Sequence, residues 1–183
     1  MRAFLAIALS DAAIAALSRL QAGLPLGRPV APENLHLTLA FLGDQPEEAL
    51  EALHEELERL AVKPFTLHFT GLGRFGAAKP RLIFADVAPD PALLKLREDI
   101  LRALRRAGLS APKERFHPHV TLARLGGNAG SGREAEVLQG FFERFGDTLL
   151  PEVPVTCFGL YRSVLHPKGA RYDRLADYGA AAI

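Results

Sequence analysis

The sequence predicts an α+β fold made of a duplicated β-α-β-α-β unit. We expect two pseudo-symmetric lobes of mainly antiparallel strands, with outer helices, around a central cleft. The string His-x-Thr-Leu occurs twice, at residues 36–39 and 119–122, each time in an apolar, β-prone run. Strand-like and helix-like patterns alternate in the same order around both copies. We therefore expect one bilobal domain over residues 1–183, with internal repeats at about residues 1–70 and 81–162.

The first repeat contains three strand-like runs with two helical stretches between them. The predicted strands are residues 2–9, 34–43 and 65–70. Asp11 is placed to cap the first helix, and Pro46 and Glu47 open the second. Apolar side chains recur every three or four residues in both helices, which puts them on one buried face. A loop rich in Pro and Gly, residues 23–32, leads to the first His-x-Thr strand.

The second repeat follows the same order. Its predicted strands are residues 82–87, 118–125 and 153–161, and its predicted helices are residues 91–107 and 132–145. Residues 71–80 contain many turn-forming residues and are predicted to be the joint between the repeats. The string Gly-Leu-Gly-Arg-Phe-Gly in this stretch is not interpreted as a dinucleotide site, because the next strand leaves no room for the required helix.

The repeated motif suggests acid–base chemistry on a phosphodiester. Side chains two residues apart on a strand share a face, so His36 lies beside Thr38, and His119 beside Thr121. Opening a phosphodiester needs a base for the attacking oxygen and an acid for the departing one, and imidazole titrates in the right range for both. The threonine hydroxyls can donate to the phosphate oxygens. A metal site is disfavoured, because zinc normally needs a third protein ligand and none recurs beside the motifs.

The amino-acid composition says less about function than the motifs do. The net charge of +1 gives no reason to expect a protein that coats polyanions. Eight basic residues lie between positions 92 and 124, and they form either a solvated helix face or a basic approach for a phosphate ester. They are Lys95, Arg97, Arg102, Arg105, Arg106, Lys113, Arg115 and Arg124. With one cysteine and no apolar run of membrane-spanning length, we expect a cytoplasmic protein that does not enter membranes. We also expect a monomer.

Five segments resemble, in chain order, the two-histidine (2H) phosphoesterase superfamily. Within it they are similar to the RNA 2′,3′-cyclic phosphodiesterases, formerly called 2′-5′ RNA ligases. The segments are MRAFLAI, ENLHLTLAFLG, GLGRFG, FHPHVTLARL and LYRSVLHPKGARYDRL. The resemblance implies hydrolysis of RNA 2′,3′-cyclic phosphodiester ends to 2′-phosphomonoesters by two-histidine catalysis, without metal or cofactor. The implied partners are RNA ends, tRNA-derived ends among them, or nucleotide cyclic phosphates.

The resemblance also implies roles for individual residues. His36 would protonate the leaving ribose oxygen, His119 would activate water, and Thr38 and Thr121 would hold the phosphate. The residues alone leave the choice of acid and base open, because the two motifs are nearly alike. Other functions also stay open: a phosphoesterase or reversible 2′-5′ ligase on another nucleotide or RNA substrate, and a non-catalytic RNA-binding or nucleotide-binding module.

Three more residues are candidate substrate contacts. His117 stands where relatives often carry another basic residue; if the strand starts early, it shares the face of His119 and would assist phosphate binding. Arg124 matches an arginine of the family's second motif, although strict strand alternation points it away from His119. Phe75 would line the cleft and stack on a base.

Overall fold

The structure is a computed structural model that describes residues 1–76, 79–112, 115–126, 130–166 and 169–179. The strands are β1 Arg2–Ala8, β2 Arg28–Pro29, β3 His36–Asp44, β4 Phe65–Leu67, β5 Phe69–Phe75, β6 Leu82–Val87, β7 His119–Arg124, β8 Val153–Val155, β9 Cys157–His166 and β10 Gly169–Gly179. The helices are α1 Asp11–Ala22, α2 Glu47–Glu58, α3 Pro91–Arg106 and α4 Gly132–Phe145, with a short 3₁₀ helix at Pro32–Asn34.

One large sheet contains most of the strands. Its order is β10-β9-β1-β3-β7-β6-β5, with β2 added beside β7, while β4 and β8 form a separate pair. Every strand pair within the described ranges is antiparallel. The predicted α+β class, with mainly antiparallel strands, is therefore confirmed.

The two halves of the chain exchange strands. β5 follows the first motif strand in sequence but pairs with β6 of the second half, and β9 from the end of the chain pairs with β1. The motif strands β3 and β7 are neighbours at the centre of the sheet. The exchange joins both halves into one sheet, with the motifs at the seam where they meet.

The core lies under the helices and the inner strands. Its fully buried side chains include Leu5, Leu17, Leu37, Leu53 and Leu93. Burying a leucine of this kind stabilises the fold by about 1.5–3 kcal/mol. No helix among the described residues is long and apolar enough to cross a membrane.

The cap of the first helix differs from the prediction. Ser10, and not Asp11, is the N-cap, and its hydroxyl accepts a hydrogen bond from the Ala13 amide at 3.4 Å. Asp11 is the first helical residue, where its negative charge stabilises the positive end of the helix dipole.

The predicted joint at residues 71–80 is wrong for its first half. Residues up to Phe75 continue as β5 and pair with β6. The glycines serve close approach, because a Cβ on Gly73 would lie 2.4 Å from the ring of Phe84. Gly71 also has a φ of 135°, which favours glycine.

The end of the chain is more extended than predicted. The strand predicted at residues 153–161 is interrupted at Thr156, and its second part, β9, runs on to His166. β9 then pairs with β10, an unpredicted edge strand. Asp173 of β10 accepts from Arg162 at 2.6 Å and pairs with Arg171 at 3.0 Å. Charged pairs of this kind are typical of protected sheet edges.

Candidate active site

The two motif strands meet at one residue pair, Leu37 of β3 with Val120 of β7. In antiparallel register His36 then lies opposite Thr121, and Thr38 opposite His119, on the same face of the sheet. Leu37 and Val120 are buried on the other face, whereas the histidines and threonines are partly exposed. Strand spacings put the two histidine Cα atoms on the order of 10 Å apart. The fold therefore brings the repeated motif together as one cluster.

The same main-chain contact orients both imidazoles. His36 Nδ1 donates to the Asn34 carbonyl at 2.7 Å, and His119 Nδ1 donates to the His117 carbonyl at 2.7 Å. A carbonyl only accepts, so Nδ1 carries the proton in each neutral ring. Nε2 is therefore the atom that takes up or releases a proton. Sequence reasoning missed this device, because a main-chain acceptor two residues upstream requires no particular side chain.

The threonine hydroxyls differ in the resting site. The Thr38 hydroxyl lies 2.9 Å from His36 Nε2 and donates to it when the ring is neutral. The Thr121 hydroxyl has no hydrogen bond within the described part of the chain, and it is partly exposed on the same face. Both hydroxyls are thus positioned beside the cleft, one already hydrogen-bonded to an imidazole.

Aromatic rings pack around each histidine. The His36 ring lies 4.9 Å from Phe4 and 5.3 Å, edge-on, from Tyr172. The His119 ring lies 5.0 Å, edge-on, from Phe75 and 5.2 Å from Phe84. These contacts limit rotation of the imidazoles and bury part of each ring. Phe75 thus lies at the site, against the histidine of the second motif, while Phe4 and Tyr172 were not singled out from the sequence.

Burial lowers the pKa of both histidines. For His36, the hydrogen bond to Asn34 opposes this effect, and the charges of His119 and Arg124 lower the pKa further. For His119, the hydrogen bond to His117 opposes burial, the charge of His117 lowers the pKa, and Asp86 raises it. Both rings are therefore mainly neutral at neutral pH. Arg124 disfavours a cation on His36, whereas His117 and Asp86 act in opposite directions on His119.

His117 is paired with a carboxylate that sequence reasoning missed. Its Nε2 lies 2.9 Å from Asp86 Oδ1, and Asp86 is the register partner of His119 on β6. Its ring packs edge-on against Phe75 at 5.4 Å. β7 begins only at His119, so His117 precedes the strand, and its imidazole is already engaged by Asp86. The sequence did contain a sign of this role, because Asp86 is the one acid in the apolar run Leu82–Val87.

Each motif strand has a β-bulge immediately after its threonine. On β7, Thr121 pairs with Phe84 and Ala123 with Ile83, so Leu122 is the extra residue. Leu122 and Ala123 are consequently both buried, and the alternation of faces is reset before Arg124.

The expectation that Arg124 points away from the site is therefore wrong. Its charge lowers the pKa of His36, and it lines a groove together with Phe4 and Asn34. The bulge of β3 leaves Leu39 unpaired and brings Phe41 to the equivalent position. Phe41 and Arg124 are thus counterparts on the two motif strands.

Polar side chains from the helices hold both bulges. Gln21 of α1 donates from Nε2 to the Leu122 carbonyl at 2.8 Å and to the Val30 carbonyl at 2.7 Å. Arg97 of α3 donates to the Leu39 carbonyl at 3.2 Å, with its guanidinium 4.5 Å from the centre of the Phe116 ring. Each helix thereby supports the motif strand of the other half of the chain.

The basic run between residues 92 and 124 is mostly a solvated helix face. Lys95 pairs with Asp99 at 2.6 Å, Arg102 pairs with Glu98 at 2.8 Å, and Arg106 pairs with Glu56 of α2. Lys113 lies outside the described residues. Among the described members of the run, Arg124 is the one that lines the groove beside the motifs. Within the same ranges, no group of three or more His, Cys, Asp or Glu side chains is arranged to hold a metal ion.

Comparisons with known proteins identify the family of the chain. A family model described as the 2′-5′ RNA ligase superfamily matches residues 9–162. The chain is 32% identical over 162 residues to an RNA 2′,3′-cyclic phosphodiesterase of Aeropyrum pernix, covering 87% of this chain and 89% of that protein. It is 37% identical over 194 residues to a Thermus thermophilus protein of the same name, covering 97% of this chain and 89% of that one.

Solved structures give the same result. The Thermus thermophilus protein TT0787 matches with a TM-score of 0.80 and 32% identity, over 98% of this chain and 97% of that one. Escherichia coli LigT complexed with 3′-AMP matches with a TM-score of 0.75 and 28% identity, over 99% of this chain and 98% of that one. The match therefore spans both motif strands and both halves of the sheet.

Proposed function

This chain belongs to the 2′-5′ RNA ligase superfamily, and we propose that it hydrolyses RNA 2′,3′-cyclic phosphodiester ends to 2′-phosphomonoesters. The observation that carries the proposal is the seam between β3 and β7. There, two imidazoles with Nδ1 held by a carbonyl share one face with two threonine hydroxyls. Curated relatives named for this activity support the choice of substrate.

The proposed reaction transfers one proton at each histidine. His119 Nε2 takes a proton from water, the water oxygen bonds to phosphorus, and the bond from phosphorus to the ribose 3′ oxygen breaks. His36 Nε2 gives its proton to that 3′ oxygen, which leaves a 2′-phosphomonoester and a 3′ hydroxyl. Attack and departure lie on opposite sides of the phosphorus, which suits groups on two facing strands. Thr38, Thr121 and Arg124 would stabilise the charge on the other phosphate oxygens.

The two imidazoles have different charged neighbours. Asp86 favours the cation that His119 becomes when it accepts a proton from water, whereas His117 disfavours it. Arg124 lowers the pKa of His36, so protonated His36 is a stronger acid toward the leaving oxygen. The bound phosphate is negative, and it favours protonation of His36 when substrate arrives. The proposed mechanism needs neither a metal ion nor a cofactor, because the side chains supply both proton transfers.

We propose that one chain forms the complete site, because both motifs and Arg124 belong to the same chain. The protein would then act as a monomer on RNA ends or on nucleotide cyclic phosphates. The structure of LigT complexed with 3′-AMP supports a nucleotide ligand. A single cysteine suits the reducing conditions of the cytoplasm.

The test is an incubation of the purified protein with EDTA and a short RNA that ends in a 2′,3′-cyclic phosphate. We expect full turnover and a product with mainly a 2′-phosphate, mapped by chromatography against both synthetic isomers. A product with mainly a 3′-phosphate would reverse the roles of His36 and His119. Tight binding without turnover would favour the non-catalytic binding module. Joining of the cyclic end to an added 5′-hydroxyl RNA would favour the ligase.

A further inference from the structure

A groove of about 1100 Å³ extends from the His36 side of the site. It lies between the start of β1, the strand β2, the end of β3 and the β9–β10 hairpin. Phe4 and Tyr172 line the groove and also contact the His36 ring, at 4.9 and 5.3 Å. The groove is therefore continuous with the site, and it exceeds the size of a typical small-molecule pocket.

The groove is positively charged. Arg2, Arg28 and Arg124 line it, and Glu33 is the one acid among its described lining residues. None of the three arginines has an ion-pair partner in the described ranges, whereas Arg102, Arg106 and Arg162 elsewhere do. The Arg28 guanidinium reaches across to the hairpin, since a Cβ built on Gly169 would lie 3.1 Å from its Nη2 atom. Unpaired guanidinium groups in a groove are typical phosphate contacts.

The groove also exposes an aromatic ring. Phe41 is 53% exposed, although it sits on a central strand of the sheet. Its ring lies 5.9 Å from Phe4, which itself packs on His36, so the rings lead from the catalytic face into the groove. An exposed ring among unpaired arginines is the combination that binds single-stranded nucleic acid, because bases stack on the ring while phosphates contact the cations.

We propose that this groove binds the nucleotides that precede the cyclic phosphate in a single-stranded RNA. Arg28 and Arg2 contact the upstream phosphates, and Phe41 stacks on an upstream base. Arg124 lies at the boundary between the groove and the reacting phosphate. The inference rests on the proposed function, and it adds that the enzyme distinguishes an RNA end from a mononucleotide by binding on the His36 side.

The experiment compares a hexanucleotide with a nucleoside monophosphate, both carrying a 2′,3′-cyclic phosphate. We expect a higher kcat/KM for the hexanucleotide, and we expect Arg28→Gln and Phe41→Ala to lower the ratio of the two kcat/KM values. Loss of stacking on one base should cost about 5- to 150-fold. Phe41→Trp should preserve the ratio. Arg19→Gln is the matched control, because Arg19 is an exposed arginine on α1 outside the groove.

A binding measurement separates this inference from the proposed function. Its probe is a hexanucleotide that already ends in a 2′-phosphomonoester, titrated calorimetrically at several salt concentrations. Arg28→Gln should weaken binding and reduce the slope of log Kd against log salt by about 0.7, the value for one phosphate contact on a single strand. If neither substrate is turned over, but Arg28→Gln and Phe41→Ala still weaken this binding, the proposed function fails and the groove assignment stands. Equal effects of Arg28→Gln and Arg19→Gln on binding and on the kcat/KM ratio would overturn the groove assignment.

Discussion

Gln21 should stabilise the fold and also position the catalytic face, although it lies on the helix side of the sheet. Its side chain is 9% exposed, and its Nε2 donates at 2.8 Å to Leu122 and at 2.7 Å to Val30. Gln21→Leu keeps the volume but removes both hydrogen bonds. Leu122 still accepts from the Val30 amide at 2.8 Å, whereas the Val30 carbonyl loses its Gln21 donor. Two lost bonds and one poorly satisfied carbonyl predict a loss of about 2–4 kcal/mol. For a chain of this size, that lowers Tm by roughly 4–16 °C.

The functional consequence follows from the bulge. The Leu122 carbonyl belongs to the bulge that returns Arg124 to the catalytic face, and a displacement of about 1 Å at a reacting group costs up to about 10²-fold in rate. Urea unfolding and kcat/KM, both measured well below the lowered Tm, test the two effects. Gln139→Leu is the matched control, because Gln139 is an exposed helical glutamine whose partner lies one turn away. An unchanged urea midpoint would refute the energetic argument. Lost stability with unchanged kcat/KM would refute the link to Arg124.

Three further predictions concern the catalytic face. His36→Ala or His119→Ala should each lower the rate by about 10²–10⁴-fold with the fold retained by circular dichroism, and near-full activity of either variant contradicts an acid–base pair. Thr38→Val or Thr121→Val should cost about 10–10³-fold and the Ser variants much less, whereas equal rates for Val and Ser would show that the threonines serve packing. The pH profile of kcat/KM should be bell-shaped with its maximum below the ordinary imidazole value of about 6.5, because burial lowers both pKa values. The acidic limb follows the lower, and the basic limb the higher, of the two pKa values that the histidine pair has in the free enzyme. Asp86→Asn removes a charge that raises the pKa of His119, so it should move a limb of the profile down, and a limb that moves up contradicts the assigned charge effect.

The alternation of side chains along a strand was enough to predict which motif residues share a face. It places His36 beside Thr38 and His119 beside Thr121, independently of the rest of the fold. The repeated element order then predicted the α+β class and the limits of most elements within a few residues. These features depend on contacts between near neighbours in sequence, so a sequence pattern contains them.

Arg124 shows why the remainder was not predictable. A bulge is defined by which residues pair across two strands, and the apolar residues Leu122 and Ala123 give no sign of it. The glycines of β5 are a second case, because turn chemistry and close approach to another chain segment both require glycine. Only the position of Phe84 decides between them at Gly73. Asp86 likewise became a site residue only through its register with His119.

The near-symmetry of the fold makes its departures from symmetry informative. At equivalent bulge positions, β3 presents Phe41 and β7 presents Arg124. In the neighbouring strands, Ala8 is the register partner of His36, whereas Asp86 is the partner of His119. The charged neighbours of the two imidazoles therefore differ: Arg124 lowers the pKa of His36, whereas His117 lowers and Asp86 raises that of His119. Different surroundings allow two like groups to take different roles in one reaction. Phe41, which stands on β3 where β7 has Arg124, also places an exposed ring in the arginine-lined groove. We therefore expect these two positions to differ in role, with Arg124 beside the reacting phosphate and Phe41 beside the upstream nucleotides.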